Sequence, residues 1–360
     1  RVAQGLDAPP LNFQLATLCR HYGVPFHASA AHDALGDVTA TVQLYRAIAT
    51  LGKGVIAAAP ALLGFTPTNS VVVYLLGTEP DGTPIIKVTI RCDITISASQ
   101  AASFARTCHL NAAKYDGALL LAVCSAELDD HAAVVLDGIR DSLTEAGITV
   151  RRRLTTRDVT AAGTWIDPDT GATGTTYPYT DSLLTAQRIH DGAILTARRE
   201  DLVREFDPIT PAPAVAVGDH AVLVSTTMED ITDALTGASR YISATLSTRA
   251  GILITSHPAL RDAMLHLALD HERAATNVWT HIARQLRGRP RTEALTIAAV
   301  CYCLINDTVR AGIAADIAIT EATDAGDEPP TLAAMLLAAL ESGIEPALIR
   351  RVLTDTHPGT

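Results

Sequence analysis

The residues with the clearest chemical potential are His32 and Asp37, which stand five positions apart near the start of the sequence. An imidazole with a pKa of about 6.5 can accept a proton at neutral pH, and a carboxylate is a hard ligand of the kind that Mg²⁺ or Mn²⁺ prefers. A metal-assisted hydrolysis of a phosphodiester would use both groups. The same residues also fit a structural role, in which His32 precedes a helix and Asp33 and Asp37 favour its dipole from the first turn.

Two helices must position this pair. Apolar residues at helical spacing predict the first helix over residues 11–22, and Gly23 ends it. A second helix is predicted over residues 31–52, where Gly52 closes the element. Two helices cannot form a domain of their own. Since the chain also opens with Arg1 instead of Met, we expect it to be a fragment with its N-terminus missing.

The text of these helices, LATLCRHYGV followed by AHDALGDVTAT, resembles the C-terminal end of the DEDDh exonucleases, the family of the proofreading epsilon subunit of DNA polymerase III. The resemblance implies a ribonuclease H-like fold in which His32 is the general base and Asp37 the last of four acidic ligands for Mg²⁺ or Mn²⁺. It also implies 3′→5′ exonuclease activity with single-stranded DNA as a partner. The family's other ligands have no counterpart before His32, so we expect residues 1–50 to be a C-terminal remnant, inactive alone.

Composition limits the remaining possibilities. The net charge of −11 argues against an overall nucleic-acid or anionic-membrane surface. The six cysteines form no C-x-x-C, which favours reduced thiols of a cytoplasmic protein. No apolar run reaches the roughly 18 residues of a membrane span. Only three of the 28 basic residues are lysines, a bias typical of a high-GC genome such as that of an actinobacterium.

The run Ser70 to Leu76 is continuously apolar, which predicts a strand buried on both faces of a parallel or mixed sheet. An Asp-Gly turn predicts that the next strand forms a hairpin with it. Strands then alternate with helices, as in βαβ units of a layered α/β core. The further strands are predicted at 85–90, 118–123 and 148–154, and the helices at 53–63, 97–110 and 130–146.

The segment PALLGFTPTNSVVV, the strand ending at Arg91-Cys92-Asp93, the Trp165 hairpin and IHDGAILTARREDLVREFDP together resemble a domain family widespread in actinobacteria, whose biochemical role is not established. The resemblance extends from about residue 51 to the end of the sequence. It therefore implies a family and no activity.

Several polar groups of this core have two interpretations. Arg91 and Asp93 follow a strand, where α/β sheets place ligands, or they form an exposed ion pair. The loop after Trp165 begins like an EF-hand, but Pro178 stands at the position of the required glutamate, so a β-turn is predicted. Three consecutive arginines are interpreted as a solvated strand edge, with a phosphate contact as the alternative; they are Arg151, Arg152 and Arg153.

Beyond the linker at Thr210 the sequence predicts only helices. They are expected at about 226–247, 258–286, 291–304, 307–320, 330–342 and 345–354. The polar groups here lack an H-E-x-x-H motif and are interpreted as an exposed helix face; they are His257, His266, His271, Glu272 and His281. Cys301 and Cys303 are predicted to be packed thiols. The single basic cluster is a weak nucleic-acid signal because no aromatic residues are interleaved with it; it comprises Arg284, Arg287, Arg289 and Arg291.

The sequence thus predicts three parts: an exonuclease-like remnant at 1–50, an α/β domain at 51–210 and a helical C-terminal part at 211–360. The leading hypothesis joins the tail of a metal-dependent 3′→5′ exonuclease to a domain of unknown function. The alternative is a non-catalytic binding or assembly module without nuclease activity.

Overall fold

The computed structural model describes residues 52–78, 84–190, 192, 194–238, 243–342, 344 and 346–355. The chain forms two compact units that divide between Arg199 and Glu200. All strands of the described residues belong to the first unit, and the second is helical. His32 and Asp37, with the two helices predicted to carry them, lie outside the described residues. The division at residue 210 stays a prediction.

A six-stranded mixed sheet is the framework of the first unit, with strand order β2-β1-β3-β4-β5-β6. β1 is antiparallel to β2 and to β3, whereas β3 and β4 are parallel. The predicted hairpins and the predicted βαβ crossover are therefore present. The strands are β1 Ser70–Thr78, β2 Pro84–Asp93, β3 Gly117–Val123, β4 Val150–Thr156, β5 Gly163–Ile166 and β6 Thr173–Thr176.

β1 is buried on both faces, as its continuous apolar run predicts. Val71, Val73 and Leu75 point into a core that a long helix, Asp129–Glu145, completes. On the other face, the Tyr74 hydroxyl donates to the carbonyl oxygen of Val55 at 3.1 Å. Burial raises the pKa of Tyr74 far above its ordinary value. The sheet is thus the middle layer of a layered α/β unit.

The described residues of the first unit form five helices: α1 Gly52–Leu63, α2 Ala98–Ala102, α3 Phe104–Thr107, α4 Asp129–Glu145 and α5 Leu183–His190. The prediction of one helix over 97–110 is wrong, because the backbone leaves helical geometry at Ser103, with φ −99° and ψ 3°. The buried Ser142 hydroxyl of α4 accepts from the Ala105 amide at 3.0 Å. A side chain from another helix therefore provides the acceptor for a backbone amide in the first turn of α3, which has no acceptor within its own helix.

The second unit is a bundle in which α11 is central: all of its residues from Arg291 to Leu304 are buried. The predicted helix over 258–286 is two helices, because His271 has a non-helical φ of −137° and ψ of 39°. The helix predicted over 226–247 starts earlier, at a cap formed by Asp219, and ends at Gly237 with φ +76°. The helices are α6 Arg199–Arg204 at the division between the units, α7 His220–Thr236, α8 Ala244–Ser256, α9 Pro258–Ala268, α10 Glu272–Gln285, α11 Arg289–Leu304, α12 Thr308–Asp324, α13 Thr331–Glu341 and α14 Pro346–Asp355.

Within the described part of the chain, no helix combines the length and the apolar character needed to cross a bilayer.

Candidate functional site

The outer edge of β2 is the longer of the two edges of the described sheet: β2 has ten residues and the opposite edge strand, β6, has four. Just beyond β2, the Ile94 amide donates to the Asn69 carbonyl at 2.9 Å. Hydrogen-bonded and non-bonded pairs alternate along an antiparallel ladder. From Ile94 backward along β2, the register is regular as far as Val88, so Cys92, Ile90 and Val88 bond to β1. The backbone groups of Thr89, Arg91 and Asp93 therefore point away from β1.

Arg91 is held in place on this edge. Its Nε donates to the Ser70 hydroxyl at 2.9 Å and its Nη2 to Asp93 at 3.2 Å, so the predicted ion pair is present. The Ser70 hydroxyl in turn donates to the Thr68 carbonyl at 2.7 Å. Ser70 is fully buried and already has a donor and an acceptor, which makes it a support for Arg91. Neither arginine bond uses Nη1.

A β-bulge limits the length of edge that could pair with another strand. The register shifts between Leu75 and Leu76, which leaves Lys87 of β2 without an opposite residue. The Lys87 side chain lies across Gly77, where any Cβ would overlap it. Bulges and lysines both oppose pairing at exposed edges. The regular part of the edge is therefore Val88 to Asp93.

A second ion pair lies where β3 and β4 end. Arg157 Nη2 donates to Asp129 at 2.6 Å and Nη1 approaches the Cys124 carbonyl at 3.4 Å. The hydrogen bond from Arg157 lowers the pKa of Asp129. Asp129 belongs to α4, on the opposite face of the sheet from Tyr74 and therefore from Arg91. The structure thus does not combine the two ion pairs into one ligand site.

The interpretation of the three β4 arginines as a solvated edge is wrong for Arg153. Its side chain is 8% exposed and it binds two carboxylates: Nε donates to Asp169 at 2.9 Å and Nη1 to Asp137 at 2.5 Å. The hydrogen bond from Arg153 lowers the pKa of Asp169. The physical reason for the error is that the β5–β6 hairpin folds back and brings its turn against β4.

Arg152 is also occupied. Its Nε donates to Asp167 at 3.2 Å, and its guanidinium lies 4.8 Å from the centre of the Trp165 ring. Asp167 also accepts from the amides of Asp169 at 3.0 Å and Thr170 at 3.2 Å, which is the geometry of a side-chain-stabilised turn. The loop after Trp165 is accordingly the predicted turn.

Three arginines of the basic cluster bind their own chain and are named the arginine clamp: Arg284, Arg287 and Arg291. Arg284 Nε donates to the Asp207 carbonyl at 2.9 Å, and Arg287 donates to the Ile209 carbonyl. Arg291 Nη2 donates to the Phe206 carbonyl at 2.9 Å. The clamp therefore binds residues 206–209 to the bundle. Of the predicted cluster, Arg287 and Arg289 are exposed.

The histidines of the bundle have separate structural contacts. His257 Nδ1 accepts from the Ala259 amide at 3.1 Å and caps α9, while His266 Nε2 donates to the Leu353 carbonyl at 3.3 Å. His281 is half-buried, and burial, with a smaller effect of Arg284, lowers its pKa. No cluster of three metal-binding side chains occurs in the ranges that the structure describes.

Three of the cysteines placed by the structure, Cys92, Cys301 and Cys303, are packed and not activated. Cys301 and Cys303 are buried in α11, as predicted, and burial raises the pKa of Cys303 to about 11. Cys92 has a pKa of about 11 for the same reason. Nucleophilic cysteine chemistry needs a lowered pKa, so these thiols serve as small apolar side chains.

The predicted catalytic residue His32 and metal ligand Asp37 cannot be related to this geometry, since both lie outside the described residues. Sequence reasoning missed the β2 edge, although the alternation in VTIRCD was its available signal.

Comparison with known proteins gives one match. The family model with the description "Domain of unknown function (DUF4192)" covers residues 53–347, which excludes the exonuclease-like segment. No curated protein and no solved structure shows a significant match. Because the family model covers most of the sequence, this chain belongs to the DUF4192 family.

Proposed function

We propose that the DUF4192 domain is a non-catalytic binding module that takes up an extended segment of a partner protein along the outer edge of β2. The observation that supports this proposal is the outward direction of the backbone groups of Thr89, Arg91 and Asp93. Such groups recognise a peptide by adding it to the sheet as a further strand.

The side chains of β2 define the chemistry of the segment. Val88, Ile90 and Cys92 are partly buried and pack against the apolar core. An added strand would extend that core with an apolar residue at every second position. On the other face, Arg91 favours a carboxylate, because its Nη1 is not used in the bonds to Ser70 and Asp93. We therefore expect alternating apolar and polar residues, with an acidic residue facing Arg91.

A labelled peptide tests this proposal. The probe is the fluorescein-labelled nonapeptide TVEVTVEVT, measured by fluorescence anisotropy up to about 1 mM. Thr89→Pro removes one outward amide at an edge position that tolerates proline, and Thr89→Val is the control because it keeps that amide. We expect Thr89→Pro to weaken binding by about tenfold or more, with Thr89→Val close to the wild type.

Two results would overturn the proposal: no binding to the wild type, or equal binding to the proline variant. Circular dichroism establishes whether Thr89→Pro is folded. If it is unfolded, a peptide N-methylated at its central threonine replaces it, because the methyl group removes a strand hydrogen bond while the protein is unchanged. Equal binding of the methylated and unmethylated peptides would then contradict strand addition.

The second candidate function is the 3′→5′ exonuclease, supported by the sequence match around His32 and Asp37. In this proposal Asp37 helps to bind Mg²⁺ or Mn²⁺ and His32 activates the attacking water, with the other ligands supplied by sequence upstream of Arg1. The test is Mg²⁺-dependent degradation of single-stranded DNA by a chain extended upstream. Asp37→Ala should abolish it, while Asp33→Ala, the control, should retain it. Activity that survives Asp37→Ala would refute the assignment.

A further inference from the structure

The last helix of the bundle, α14, differs sharply from the helix it touches. No residue of α14 is buried, whereas α11 is buried from Arg291 to Leu304. Two apolar side chains of α14 are turned to solvent: Leu348 is 45% exposed and Val352 is 56% exposed. Helices in proteins are stabilised mainly by packing an apolar face, so apolar burial contributes little to holding α14.

Polar contacts hold α14 instead. Arg350 Nη2 donates to the carbonyl of Leu304, the last residue of α11, at 2.9 Å, and Nη1 pairs with Glu272. At the next turn, His266 Nε2 donates to the Leu353 carbonyl at 3.3 Å. The Arg350 side chain is 42% exposed. Partly exposed bonds of this kind open more readily than a packed apolar interface.

The family match gives an independent observation. It ends at residue 347, only one residue after α14 begins at Pro346. The bundle that belongs to the family is therefore α7 to α13, and nearly all of α14 lies outside the match. The sequence pattern shared with the family therefore includes only the first two residues of α14.

We propose that α14 is a detachable strap, which leaves the bundle as one unit while α9 to α13 stay folded, and so uncovers the end of α11. Arg350 is the latch of the strap, because it joins α14 both to α10 and to the last carbonyl of α11. Release would expose the Leu304 carbonyl and its surroundings to solvent. The strap belongs to the second unit and the β2 edge to the first, and the proposal uses no contact of the β2 edge, so it is independent of the proposed function.

Hydrogen exchange followed by mass spectrometry tests the strap in the full chain. In the wild type, we expect the amides of α14 to exchange at least about 100-fold faster than those of α11. Arg350→Ala should accelerate exchange in α14 by a further factor of about 5 to 50 and leave α11 unchanged. The matched control is Arg351→Ala, because Arg351 is an exposed neighbour on the same helix and should have no such effect.

Equal exchange rates in α14 and α11 would overturn the proposal, because the strap would then open only on global unfolding. An Arg350→Ala effect no larger than that of Arg351→Ala would also overturn it. Glu272→Gln provides a second variant on a different helix, and it should accelerate α14 in the same way. Salt provides a third measurement: the Glu272 pair is screened, so exchange in α14 should rise with ionic strength in the wild type and less in Glu272→Gln.

Discussion

Replacement of Arg291 by methionine tests the idea that the buried member of the arginine clamp has a structural role. The Arg291 side chain is only 3% exposed. Its Nη1 donates to the Ala283 carbonyl at 2.9 Å, its Nη2 to the Phe206 carbonyl at 2.9 Å and its Nε to Glu321 at 2.8 Å. Methionine keeps much of the aliphatic volume but provides no donor, so the change isolates the hydrogen bonds.

The expected cost follows from what each acceptor loses. Ala283 and Phe206 are completely buried. The Phe206 carbonyl would lose a donor away from water, at about 1–3 kcal/mol, whereas the Ala283 carbonyl keeps the Leu286 amide at 3.3 Å and would lose about 0.5–1.5 kcal/mol. Glu321 is 36% exposed and can be solvated, so its loss adds at most about 1 kcal/mol. We therefore expect Arg291→Met to lower the free energy of unfolding by about 1.5–5.5 kcal/mol, a large part of the stability of an ordinary domain.

The assay is urea unfolding followed by the fluorescence of Trp279, which is fully buried in the bundle, in a Trp165→Phe background. Arg289→Met is the matched control, since Arg289 is exposed and lies two residues earlier in the same helix. It should change the free energy of unfolding by no more than about 0.5 kcal/mol. A loss below about 1 kcal/mol in Arg291→Met would refute the reasoning.

Three further predictions concern pH and packing. The lowered pKa of Asp169 means that its pairing with Arg153 stabilises the fold above about pH 4, and this stabilisation is lost as pH falls through the pKa of the folded state. In urea titrations, the difference in free energy of unfolding between wild type and Asp169→Asn should therefore disappear below about pH 4. His281 is a cation when protonated, and its pKa is also lowered in the folded state. As pH falls below about 6.5, the unfolded chain therefore binds the proton first. The wild type should lose more stability between pH 7 and 5 than His281→Gln does. Gly138→Ala should destabilise the protein by about 1–3 kcal/mol in thermal melts, because the new Cβ would lie 2.9 Å from the Cβ of Ala101. This cost should exceed the gain from the better helix propensity of alanine. Unchanged or higher stability would contradict this packing.

Much of the sheet could be predicted from the sequence because its signals are local. The apolar run of β1 predicts burial on both faces, and the alternation of strands and helices predicts the β3-α4-β4 crossover. The hairpins follow from turn residues that lie between their strands. Periodicity also predicts the packed thiols Cys301 and Cys303.

The failures share a different physical origin, which is a partner distant in sequence. Arg153 looked solvated because its carboxylate partners lie 16 residues away on a helix and on a hairpin turn. The break at Ser103 depends on the hydroxyl of Ser142 on α4. The arginine clamp uses backbone carbonyls about 80 residues upstream, and a carbonyl acceptor has no signature in the sequence.

The clamp also changes the meaning of the scarcity of lysine. Arg291 reaches three acceptors in three directions, two of them backbone carbonyls, with the flat donor array of one guanidinium. A lysine concentrates its donors on a single nitrogen and cannot span them. Arg310 makes a comparable set of bonds, with both oxygens of Glu205 and with Asp307. Lysine therefore cannot replace arginine at these two positions without loss of hydrogen bonds. Part of the excess of arginine over lysine in this chain thus has a structural cause in addition to any mutational bias.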